Sequence, residues 1–69
     1  MKDYYKTLGI NQDASNDDVK RAFKKIAKEQ HPDRGGNEAI FKEANEAYDT
    51  LKDTGKRQEY DAMRRFGSN

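Results

Sequence analysis

The side chains of this 69-residue chain best suited to chemistry gather in one stretch, Glu29-Gln30-His31-Pro32-Asp33-Arg34. His31 is the sole histidine, and it stands two residues from a carboxylate. Such a pair could move a proton, hold a cation or grip a partner's arginine through a charge-assisted hydrogen bond. Covalent catalysis needs a nucleophile beside its base, and the sequence marks no such pair. A metal needs at least one more ligand, for which Glu29 is the nearest candidate. Gly35-Gly36 lacks the strand and the Lys-Ser/Thr of a phosphate-binding loop. The residues by themselves mark no catalytic residue, no metal and no cofactor, and a lone histidine is most often structural or solvated.

Helices must position that loop. The strand signal is weak, with one Val, three Ile and no useful alternation. Ser15 followed by Asp18 reads as a capping box, and Val19, Ala22, Phe23, Ile26, Ala27 and Gln30 then recur at helical spacing. Pro32 ends that helix, because the residue before a proline is driven out of helical backbone geometry. Beyond the loop, Asn37 can cap a helix carrying Ile40, Phe41, Ala44, Ala47, Tyr48 and Leu51 on one face. Two shorter segments flank this pair. Tyr4 to Leu8 is capped by Asp3 and ended by Gly9, and a fourth runs from Lys56 to about Arg65 after a break at Thr54-Gly55. The fourth offers Tyr60, Ala62 and Met63 to a core. The expectation is an all-α fold: a long antiparallel helical hairpin with two short flanking helices. Residues 1–66 form one domain, and residues 67–69 read as a linker or an artificial end.

Composition narrows the partner. Leu, Ile, Val and Phe number only nine, and 39% of residues are charged, yet the formal net charge is +1. No disulfide can form without cysteine, and no run approaches the length of a membrane span. A soluble, cytoplasmic protein is expected. The small net charge is a cancellation: residues 15–30 carry +2 and residues 37–53 carry −3. Lys20, Arg21, Lys24, Lys25 and Lys28 share one side of the second helix with no acid among them, despite repulsion at i,i+4 spacing. The partner of such a strip is an acidic surface, and its binding should weaken with salt.

The blocks Asp3-Tyr4-Tyr5-Lys6-Thr7-Leu8-Gly9-Ile10, Asp18-Val19-Lys20-Arg21-Ala22-Phe23-Lys24-Lys25-Ile26-Ala27 and His31-Pro32-Asp33-Arg34 carry a resemblance. It continues through Phe41-Lys42-Glu43-Ala44-Asn45-Glu46-Ala47-Tyr48-Asp49-Thr50-Leu51 and Lys56-Arg57-Gln58-Glu59-Tyr60-Asp61. In order and spacing the chain resembles the J-domain of the DnaJ (heat-shock-40 type) co-chaperones over residues 3–65. The resemblance implies a four-helix J-domain that binds the ATPase domain of a DnaK-type chaperone and stimulates its ATP hydrolysis, promoting client folding. It implies that His31, Pro32 and Asp33 are essential to stimulation. By the same resemblance Lys20, Lys24 and Lys25, with Arg21 and Lys28, dock on the partner, and Phe23, Arg34 and Phe41 support the site. Clients would be held by regions outside this segment.

Departures from the family pattern bear on packing. Phe23 stands where a tyrosine is usual, Gln30 where an aromatic often precedes the loop, and Ala44 where a larger aliphatic is common. The last two are expected to thin contacts and lower stability without altering function. The loop after Asp33 is short, and flexibility is expected at Gly35-Gly36. Two other readings compete: a J-like structural module without stimulation, and a nucleic-acid-binding helical domain. The second is disfavoured because the helix after the turn, the usual recognition element, is acidic.

Overall fold

Local capping decides where each helix begins. The computed structural model describes residues 2–67 and holds α1 (Tyr4–Leu8), α2 (Asn16–Gln30), α3 (Glu38–Leu51) and α4 (Thr54–Gly67). Asp3 caps α1, accepting the Lys6 N–H, and Gly9 ends it in the left-handed region at φ 72°. At α2 the capping box is complete: the Ser15 hydroxyl accepts the Asp18 N–H and the Asp18 carboxylate accepts the Ser15 N–H. Asn37 Oδ1 accepts the Ile40 N–H to start α3. All three caps are those expected from the sequence.

The fourth helix differs from expectation. Thr54-Gly55 is not a break but the first two residues of α4. Asp53 supplies the missing cap, its Oδ1 accepting the Lys56 N–H at 3.0 Å while its carbonyl accepts the Arg57 N–H. The helix extends to Gly67, and Ser68 and Asn69, the remainder of the expected linker, lie outside the described residues.

Helices α2 and α3 form the antiparallel pair, with α1 laid mainly against α3. Val19, Ala44, Ala47 and Leu51 are fully buried where these elements meet, joined by Tyr5, Leu8 and Tyr60. Phe23, Ile26 and Tyr48 pack on that centre half-buried. Apolar residues assigned to core faces that instead stand exposed include Ile40, at 43%, in the first turn of α3 beyond the core, and Met63 in α4. Ala62 is exposed as well.

Tyrosines hold the flanking helices in place. The Tyr60 hydroxyl accepts the Tyr4 N–H at 2.8 Å and donates to the Lys2 carbonyl, which ties α4 to the first turn of α1. Its ring stacks on Tyr4 with centroids 4.7 Å apart. The Tyr5 hydroxyl donates to Asp61 at 2.6 Å and accepts from Arg57 Nε at 3.1 Å. The Arg57 guanidinium goes on to the carbonyls of Gln12 and Ala14, fixing the loop that feeds α2. Burial, with the bond to Asp61 second, raises the Tyr5 pKa above its ordinary value. Among the described residues, no helix is long and apolar enough to cross a membrane.

Candidate functional site

The loop between α2 and α3 is short enough that each of its backbone donors can be followed. Helix α2 ends at Gln30, and His31 turns the chain out of it with an extended backbone, as Pro32 requires. Residues Pro32–Arg34 then form one 3-10 turn, which Gly35 closes in the left-handed region at φ 75°. Pro32 has no N–H to place. The Asp33 N–H donates to His31 Nδ1 at 3.2 Å, the Arg34 N–H to the His31 carbonyl at 2.9 Å, and the Gly35 N–H to the Pro32 carbonyl at 3.1 Å. The Gly36 N–H returns to the His31 carbonyl, and the Asn37 N–H donates to Gln30 Oε1 at 2.8 Å. Every backbone donor from Asp33 to Asn37 therefore has an internal acceptor, including those of Gly35 and Gly36, where flexibility is expected from the sequence.

None of those acceptors is the Asp33 carboxylate. Its side chain is 90% exposed, and His31 Nδ1 stands 3.8 Å from its Oδ2. That separation is too long for a hydrogen bond, and the nitrogen already accepts the Asp33 N–H, so it has no proton to share with the carboxylate. Pro32 and Arg34 are exposed beside it. On the other side His31 meets the Phe41 ring edge-on, with centroids 5.2 Å apart, which braces the imidazole against α3.

The helix leading into this loop presents the cationic strip. Lys20, Arg21, Lys24, Lys25 and Lys28 are all exposed and span an arc of about 140° at helical pitch. Among the described residues none of the five has an ion-pair partner, whereas Lys2 pairs with Glu46, and Lys52 and Lys56 both reach Asp49. The acids of α3 are thus partly neutralised at home while the cations of α2 are not. The α2 strip keeps a clear excess of positive charge, with Asp17 the one acid inside its arc.

The DnaJ domain profile matches residues 3–61. The chain belongs to the DnaJ-domain family. It is 50% identical over 73 aligned positions to the chaperone protein DnaJ of Oleidesulfovibrio alaskensis, covering 100% of this chain and 20% of that protein. Against the chaperone protein DnaJ of Nitratidesulfovibrio vulgaris the identity is 53% over 71 positions, covering 97% of the chain and 18% of the relative. Against that of Dinoroseobacter shibae it is 55% over 64 positions, covering 87% and 17%. The J-domain therefore spans about a fifth of the length of the curated relatives it matches.

Within this J-domain the supporting residues fall in different places. Phe41 stands at the loop, half-buried under His31. Phe23 lies further along the hairpin, stacked flat on Tyr48 with centroids 4.2 Å apart, so it braces α2 against α3 rather than touching the loop. The sequence reading of Gln30 as a lost aromatic contact missed its polar use. Half-buried at the end of α2, Gln30 spends its side-chain oxygen on the Asn37 N–H, one of the donors that a helix start leaves unsatisfied. Gly36 was also missed: a Cβ there would fall 2.1–2.4 Å from the Gln30 backbone. A polar residue before the loop and paired glycines after it were the visible signals, and only the fold shows that they meet.

Proposed function

We propose that this J-domain binds the ATPase domain of a DnaK-type chaperone and stimulates its ATP hydrolysis, without performing chemistry itself. The observation that carries the reading is the Asp33 carboxylate, exposed at the tip of a loop whose backbone donors are all satisfied internally. A carboxylate so held fits a guanidinium on the partner, and a loop bonded internally loses little conformational entropy on docking. The unpaired cations Lys20, Arg21, Lys24, Lys25 and Lys28 provide the attraction to an acidic surface and orient α2 along it. Stimulation then follows from differential affinity: docking favours the partner conformation in which ATP is hydrolysed. Residues 1–66 make up the docking domain, and client binding is not assigned to it.

Titration of the 15N-labelled chain with a DnaK-type ATPase domain tests the surface. Shifts should concentrate on residues 20–28 and 31–34 and leave the exposed side of α4 unmoved. Shifts confined to α3 and α4 would contradict the proposal.

A further inference from the structure

We infer that Gln30 and Gly36 form a clasp that closes the His31–Gly36 loop and sets the direction in which Asp33 is presented; both are positioning residues. The inference rests on the docking reading above and names what holds the docking group in its pose. Two independent observations carry it. The first is the side-chain hydrogen bond from the Asn37 N–H to Gln30 Oε1 at 2.8 Å, which joins the last residue of α2 to the cap of α3 across the mouth of the loop. The second is the approach of Gly36 to the Gln30 backbone, so close that a Cβ would lie 2.1 Å from its carbonyl carbon. Backbone atoms of a helix end cannot yield by that much, so any side chain at position 36 must push the loop outward.

The clasp is separate from the hairpin core. Gln30 lies at the end of α2, whereas the fully buried residues are Val19 near the start of α2 and Ala44, Ala47 and Leu51 from the middle of α3 to its end. Asn37 also caps α3 with its side chain, and that bond to the Ile40 N–H does not involve Gln30. Losing the Gln30 acceptor therefore opens the loop while leaving the four helices formed. The His31 carbonyl, which accepts from both Arg34 and Gly36, is the next link inward, so opening the mouth loosens the turn that carries Asp33. An opened loop samples poses in which Asp33 does not face the partner, and apparent affinity falls by the fraction of time spent in them.

The test compares wild type with Gln30→Met, Gln30→Glu and Gly36→Ala. Methionine keeps the volume but not the acceptor, while glutamate keeps an acceptor. Amide exchange at Asn37 in Gln30→Met should accelerate roughly two- to tenfold, the range that one net hydrogen bond supports. The half-maximal concentration for stimulating a DnaK-type ATPase should rise by a similar factor, with the maximal rate retained. Gln30→Glu should restore Asn37 protection, and Gly36→Ala should raise the half-maximal concentration at least as much as Gln30→Met. Exchange at Leu51 and the helical circular dichroism should not move in any variant. If the wild type stimulates and Gln30→Met matches it in both Asn37 exchange and half-maximal concentration, the clasp is refuted. If the wild type gives no stimulation at all, the docking reading itself fails.

Discussion

His31 Nδ1 accepts the backbone N–H of Asp33 at 3.2 Å, so the imidazole of the loop serves as the cap of its 3-10 turn. The same nitrogen stands 3.8 Å from Asp33 Oδ2, but an acceptor nitrogen bears no proton, and that contact is not an ion pair. The hydrogen-bond network therefore assigns the proton of the neutral ring to Nε2. Long-range 1H–15N correlation spectra of the neutral ring should show the Nε2–H tautomer. A proton found on Nδ1 would contradict this geometry.

The Tyr60 hydroxyl is the fastener of the N-terminal end, binding the Tyr4 N–H and the Lys2 carbonyl together. Tyr60→Phe leaves both without that partner in a partly buried position. Urea denaturation should show a loss of about 1–3 kcal/mol, the cost of part-buried polar groups left unpaired, with helical content kept. Unchanged stability would mean that the ring alone holds α1 to α4.

Stability should also fall at alkaline pH in a way that traces to Tyr5. Its pKa is raised above 10.0 by burial and by its bond to Asp61, so the fold favours the neutral phenol. The contribution is present in full below pH 10.0 and declines as pH climbs through the raised folded-state value. Tyr5→Phe should flatten this alkaline fall in the denaturation midpoint. A residual slope is expected from Tyr4, whose pKa burial also raises.

The α2 strip makes a kinetic prediction. Lys24→Glu should slow association with a DnaK-type ATPase domain several-fold and change dissociation little, as expected for an exposed charge at an interface. Raising ionic strength from about 0.05 to about 0.3 M should slow the wild type in the same way, because screening shortens the reach of exposed charges. Stopped-flow association rates that ignore both changes would remove the strip from the docking surface.

What could be read from the sequence was what is decided locally. Asp3, Ser15 with Asp18, and Asn37 each satisfy donors three residues away, so their roles are written in adjacent text. The position of Asp33 after a basic helix was legible for the same reason. The start of α4 was not, since Thr and Gly are weak helix formers and their composition outweighed the Asp53 cap. Arg57, Tyr60 and Asp61 reach partners 43 to 58 residues earlier, and no local pattern announces such bonds. The use of Gln30 was not legible because its hydrogen bond reaches across the loop to Asn37. Ile40 kept the helical period of α3 yet stands in the first turn, beyond the reach of the core.

The most direct measurement is single-turnover ATP hydrolysis by a DnaK-type chaperone with wild type and Asp33→Asn at equal concentration. Asparagine keeps the shape and the loop's backbone hydrogen bonds, none of which uses the carboxylate, and removes only the charge. The account predicts that stimulation disappears while helical circular dichroism and Asn37 amide protection stay at wild-type values. Stimulation by Asp33→Asn equal to that of wild type would contradict it.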